Sequence, residues 1–275
     1  MTTAFDANQV QPPKPWYRRA DVLTVLIAFA LGYAFLLFGV DESTRFRTRL
    51  NPDPDLTFDW MYFWHMVPLM WRGLLATVKA TVYGFTIAIF LGLVFALLRR
   101  SKLRPVSWPT AFVIEFIRST PILVQLYFLH ALIRTWDWYS PATITILAIG
   151  LGIHYATYCS EAYRAGINSV DKGQWEASTA LNLGPVSKWT KVILPQAIPN
   201  VLPALGNYLV AAMKDAPLGI AVNATGILFF ANAIRGGDFR AVEPYMLMGV
   251  GFLIASLPAA WLVRRLERKI TYERT

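Results

Sequence analysis

Residues Glu161–Asn200 read EAYRAGINSVDKGQWEASTALNLGPVSKWTKVILPQAIPN, a polar, helix-forming island between strongly apolar runs. Asp171 or Ser169 can cap a helix that begins near Lys172. Ala177, Ala180 and Leu181 recur at helical spacing and predict one packing face. Gly184 suits a left-handed helix stop, and Pro185 can open a second helix at its first position. The island therefore reads as a helix–turn–helix bracket. Periodicity alone fits a plain solvated loop equally well.

The flanking composition puts this island beside a membrane. Of 275 residues, 55% are hydrophobic and 16% charged, against about 25% charged in soluble domains. This predicts an all-α polytopic membrane protein rather than a globular enzyme. The net charge of +9 is spread over short basic clusters beside apolar runs. That placement fits cytoplasmic anchoring and lipid contact, not a nucleic-acid face. The single Cys159 excludes an internal disulfide and a cysteine-rich metal site, and its apolar surroundings predict a buried structural thiol.

Working outward, about six transmembrane helices are expected. Residues 1–21 form a cytoplasmic tail, and 22–40 an uncleaved first span of near the ~20 residues that cross a bilayer. Residues 41–72 form an extracytoplasmic loop, with the NPDPD turn at 51–55 and an aromatic interfacial helix over 58–71. A core over 73–263 follows. Its second span, 73–98, stops at the basic run Arg99–Arg104, and Lys79 snorkels near the outer end. The third span, 106–133, breaks at Thr120-Pro121. An outer aromatic belt (Trp136, Trp138, Tyr139) leads to a fourth span over 141–160. A fifth runs over 201–222, a semi-polar outer segment over 223–243 and a sixth span over 244–263. Residues 264–275 form a cytoplasmic tail, which places both termini inside.

Within the spans, ionisable and polar side chains mark candidate sites, since a charge at bilayer depth costs roughly 2.5–3.5 kcal/mol on insertion scales. Lys214 and Asp215 are neighbours that point in different directions on a helix, so each needs its own partner. They read as a translocation-path or gate element, or as a buried structural network. Glu115 and Arg118 are spaced i,i+3, which predicts a structural ion pair near the cytoplasmic face, with solute contact as the alternative. His154 is an interior histidine or a ligand. Gln125, Tyr127 and Asn207 line a cavity or make ordinary interhelical hydrogen bonds. No HExxH, paired-cysteine or nucleophile-elbow pattern is present, and no GxxxxGK[ST] phosphate loop. No metal site or cofactor is expected on this chain.

Glu176-Ala177-Ser178, then Gly184, then Ile193-Leu194-Pro195 resembles the EAA signature of binding-protein-dependent ABC importer permeases, with Ser178 a small-for-small change. EFIRSTPILVQLYF at 115–128, VILPQAIPNVLPALGNYL and MKDAPL at 213–218 are similar to the polar-amino-acid branch. The stretch from Gly150, GLGIHYATYCSEAYRAGI, and the late VEPYMLMG are similar to ectoine/hydroxyectoine-type permease subunits. The resemblance covers roughly 60–268. The first span lies outside the five-span core usual in this branch, and APLGIAVNATGILFFANA departs from its usual pattern.

The resemblance implies a type I ABC importer permease fold in a bacterial cytoplasmic (inner) membrane. Region 161–200 then holds a coupling helix that docks on a cytoplasmic ABC ATPase dimer, which carries ATP and Mg. Lys172, Gly173, Glu176, Ala177, Ser178, Leu181 and Gly184 become the contact, with Glu176 a polar anchor. A second permease subunit, in a heteromer or homodimer, and an extracytoplasmic solute-binding protein complete the complex. The cargo is a polar amino acid or related zwitterion. The competing reading is an ion-gradient-driven secondary transporter or channel that needs no ATPase.

Overall fold

The computed structural model describes residues 58–135, 142–238 and 240–272, with backbone alone at 238 and 266–272. The expected first span, most of the 41–72 loop and the Trp136–Tyr139 belt lie outside the described residues. The chain divides into Met1–Trp60 and Met61–Thr275, and the architecture below belongs to the second unit.

Every element among the described residues is helical. They run in the order α1 (Trp60–Arg99), α2 (Arg104–Arg118), α3 (Ile122–Arg134), α4 (Thr143–Asn168), α5 (Lys172–Ala180) and α6 (Pro185–Ser187). A π-helical segment (Lys188–Ile193), α7 (Leu194–Asp215), a 3₁₀ segment (Ala216–Val222), α8 (Ile227–Asp238) and α9 (Val242–Tyr272) complete the order. α1, α4 and α9 are long and apolar enough to cross a membrane singly. Two bent pairs qualify as broken spans: α2 with α3 at 109°, and Pro185–Val222 with Ile227–Gly237 at 50°.

The sequence separates an interfacial helix over 58–71 from a span over 73–98; the structure joins them. α1 is one helix of 40 residues running through Pro68, about 60 Å long and twice a hydrocarbon core. Gly73 does not break it because Gly73 is a packing residue. A Cβ there would lie 2.9 Å from Ile227 Cα and 3.1 Å from Gly226 O. Exposed Lys79 stands twenty residues before Arg99, about 30 Å along the axis.

Small residues along α1 continue that close packing. Gly84 lies against Ala148 and Leu151, and Gly92 against Ala156, Cys159 and Ser160 of α4. Helices in lipid associate through such backbone approach, because lipid tails are as apolar as leucine. α4 is consequently the most enclosed element, burying Ile146, Leu147, Leu151, Tyr155 and Cys159. Cys159 is a free, wholly buried thiol.

The break at Thr120-Pro121 falls where the sequence places it. Pro121 has no N–H to continue α2, and its extended backbone (φ −62°, ψ 134°) opens α3. The fourth span extends beyond its expected end, since α4 runs eight residues past Ser160 to Asn168. The fifth starts earlier than expected, in the continuous helical run that begins at Pro185. The polar segment after it holds α8, whose first amide, Ile227 N–H, donates to buried Thr77 Oγ1 at 3.0 Å.

Candidate functional site: the bracket and the interior polar cluster

The bracket is built by local capping. Asp171 Oδ1 accepts from Gly173 N–H at 2.7 Å and opens α5. The closing residue is Asn182, not Gly184. Asn182 takes the left-handed conformation (φ 51°), Leu183 N–H donates to Ser178 O at 3.1 Å, and Asn182 N–H to Thr179 O at 2.9 Å. These two bonds form a Schellman stop, which Asn tolerates through its short polar side chain. Gly184 instead has φ −59° and ψ 156° and precedes Pro185 at the head of α6. A side chain at Gly184 would meet nothing within 4 Å.

The buried side of α5 also differs from the face expected from Ala177, Ala180 and Leu181. Ser178 is buried, its hydroxyl donating to Trp175 O at 2.8 Å, and Trp175 is half-buried beside it. Trp175 and Trp189 meet edge to face at 5.5 Å over a small core of Ile167, Val170, Ile193 and Ala197. The tryptophans outweigh the alanines because a large ring buries far more apolar area. Ala177, Ala180 and Leu181 are left in the open with Lys172, Gly173 and Glu176, and Leu181 is 73% exposed. Glu176, Thr179, Ala180, Trp175 and Lys188 line a shallow surface groove.

Cross-links hold the bracket to the membrane helices. Asn200 Nδ2 of α7 donates to Ser169 Oγ at 2.6 Å, and Gln196 Nε2 to Gln174 Oε1 at 3.3 Å. At the end of α1, Arg99 pairs with Glu161 of α4, which also accepts from Arg164 Nε at 3.0 Å. Glu161 is a site residue the sequence reading passed over, because it treated Glu161 only as the island's boundary.

The interior candidates separate into two groups. Gln125, His154 and Asp215 come together in one cluster between α3, α4 and α7. Gln125 Nε2 donates to Ile117 O (2.6 Å), Thr120 O (3.0 Å) and Thr120 Oγ1 (2.8 Å), satisfying the broken end of α2. Its Oε1 meets His154 Nδ1 at 3.0 Å. Tyr155 donates to Asp215 Oδ2 at 2.6 Å. Tyr158 ties the group together, with ring centroids 5.3 Å from His154, 5.8 Å from Tyr155 and 5.6 Å from Tyr208. The Arg118 guanidinium lies 5.3 Å from the Tyr158 ring centroid, within cation–π range.

The expected Glu115–Arg118 ion pair does not form: Arg118 takes the Tyr158 ring, and Glu115 is exposed. Lys214, Tyr127 and Asn207 also face outward. Lys214 and Asp215 therefore part company, as adjacent helical residues must. Tyr155, Tyr158 and Tyr208 are the members missed in the sequence, where they count as apolar; the spacing of HYATY (154–158) is the signal that would find the first two.

Residues 84–272 match the family of binding-protein-dependent transport system inner membrane components. The chain belongs to this family. It is 45% identical over 199 residues to a probable amino-acid ABC transporter permease protein of Sinorhizobium fredii, covering 72% of this chain and 86% of that one. It is 31% identical to the glutamine transport system permease protein GlnP of Escherichia coli, covering 78% and 99%.

Among solved structures, an amino acid ABC transporter crystallised with histidines aligns with a TM-score of 0.72 at 31% identity, over 78% of this chain and all of that one. A chain of the methionine transporter MetNI, at 20% identity and a TM-score of 0.59 over 78% and 99%, shares the fold. The chain is thus a type I ABC importer permease, a membrane transport subunit and not an enzyme. Membership implies an ATPase and a solute-binding protein as partners.

Proposed function

We propose that this permease carries a polar amino acid or related zwitterion into the cytoplasm, driven by ATP hydrolysis on a partner ATPase dimer that docks on the bracket. The relatives named above supply the solute class. One observation carries the docking assignment. The apolar crest Ala177–Ala180–Leu181 stands in the open beside Glu176, on a helix whose other face is fastened by Trp175 and Ser178. An exposed crest on a rigid base can enter a groove and transmit its movement.

The Gln125–His154–Tyr155–Tyr158–Tyr208–Arg118–Asp215 cluster is the segment of the path this chain contributes. It offers aromatic faces and the Asp215 carboxylate to the ammonium of a zwitterion, and the Arg118 guanidinium to its carboxylate. The core over 73–263 pairs with a second, different permease chain in the inner membrane. In this reading both termini face the cytoplasm, an orientation supported by the basic runs Arg99–Arg104 and Arg264–Lys269 under the positive-inside rule.

The test is ATP hydrolysis and uptake in proteoliposomes holding both permease chains, the ATPase and the binding protein. Glutamine, arginine, histidine and ectoine are compared as solutes. Solute-dependent stimulation of hydrolysis supports the reading and ranks the cargo. Uptake by the permease without any ATPase, following an imposed ion gradient, overturns it in favour of a secondary transporter.

A further inference from the structure

Arg99 ends α1 and Arg100 follows it in the turn, and the two divide their labour. Arg99 turns to the Glu161 carboxylate of α4. Arg100 turns to the bracket: its guanidinium carbon lies 5.3 Å from the Trp175 ring centroid and 5.8 Å from that of Trp189, and its Nη1 donates to Asn168 Oδ1 at 3.1 Å. The hydrogen-bond acceptor is a neutral amide, so the charge of Arg100 remains available to the two indoles. Lys188 Nζ approaches the same Trp175 ring at 5.4 Å and donates to Thr179 Oγ1 at 2.9 Å.

Trp189 lies in the π-helical segment Lys188–Ile193. A π turn holds an extra residue and shifts the side-chain register, a device frequent at functional sites. The two tryptophans come from opposite arms of the bracket, α5 and the π segment. A single cation from the turn at the end of a third element, α1, closes over both.

We infer that Arg100 is a positioning residue for energy coupling, clamping the bracket to α1 through Trp175 and Trp189 so that movement of the bracket is passed to α1. The inference rests on the reading of the bracket as the ATPase dock. A guanidinium suits the task because it stacks on rings while donating in its own plane, which an ammonium does not do.

The test measures solute moved per ATP hydrolysed in the reconstituted complex, together with retention of the ATPase on purification. Arg100→Ala is expected to retain the ATPase but lower the ratio by about twofold to fivefold, as loss of exposed cation–π contacts scales. Arg100→Lys is expected to restore part of it. In a Trp175→Leu/Trp189→Leu background, Arg100→Ala is expected to cost nothing more, since coupled residues are non-additive.

An Arg100→Ala ratio equal to wild type, or a full further loss in the Leu background, overturns the clamp. Loss of the ATPase from Arg100→Ala also overturns it, by making Arg100 a direct contact. Leu181→Asp separates the two readings. If it too retains the ATPase and its stimulation, the docking assignment fails; if it alone fails to couple, only the clamp is wrong.

Discussion

Tyr155 donates its phenolic hydroxyl to Asp215 across 2.6 Å, joining the middle of α4 to the last residue of α7. This bond gives an intramembrane carboxylate its partner and connects the aromatic cluster to the turn into the 3₁₀ segment. Tyr155→Phe leaves Asp215 without that donor. The expected loss is about 1.5–3 kcal/mol, the net worth of a hydrogen bond to a charged group. A lowered unfolding midpoint of the detergent-solubilised complex checks it, and Asp215→Asn is expected to be milder because the amide oxygen still accepts.

The α1–α4 seam makes a second prediction. A Cβ on Gly92 would sit 2.6 Å from Cys159 Cβ and 2.8 Å from Ala156 O, so backbone as well as side chain must yield. Gly92→Leu is expected to destabilise the subunit by more than the ~1–3 kcal/mol of ordinary overpacking. Gly236→Leu, where a side chain meets nothing within 4 Å, is the control. Thermal stability and yield from membranes report the difference.

At the end of α5, Asn182 and Gly184 should respond oppositely to their positions in sequence. Asn182→Val places a β-branched residue at φ 51° and is expected to cost about 1–2 kcal/mol, while Asn182→Gly is neutral. Gly184→Ala is expected to leave the fold unchanged. Protease susceptibility of the bracket in membrane vesicles distinguishes these cases.

Thr77 holds α8 to α1 by accepting from Ile227 N–H while donating to Gly73 O at 2.9 Å. Thr77→Val keeps the shape but orphans a buried amide. A loss of about 1–3 kcal/mol is expected, with faster hydrogen exchange at the start of α8 as its local signature.

The helical architecture was legible because spans declare themselves through unbroken apolar runs and breaks through proline. Asp171 and Thr120-Pro121 were readable for the same reason, as each acts within one turn of chain. What escaped depended on contacts between distant segments. The continuity of α1 through Gly73 depends on α8 lying against it. The buried face of α5 depends on Trp189, fourteen residues away on another arm. The sequence points to Gly184 for the stop because glycine is the usual left-handed residue, and the hydrogen bonds to Ser178 and Thr179 put it at Asn182 instead. In the interior cluster, the three tyrosines read as apolar filler until their rings were placed around His154 and Arg118.

The central claim is that the exposed crest of α5 is where the ATPase docks. The direct measurement is thiol cross-linking from Leu181→Cys, in a chain whose native Cys159 is wholly buried, within membranes that contain the assembled complex. Phe112→Cys, on the exposed apolar face of α2, serves as the comparison. The account predicts a cross-link to the ATPase from position 181 and none from 112. A complex that retains the ATPase yet cross-links from 112 and not from 181 would contradict it.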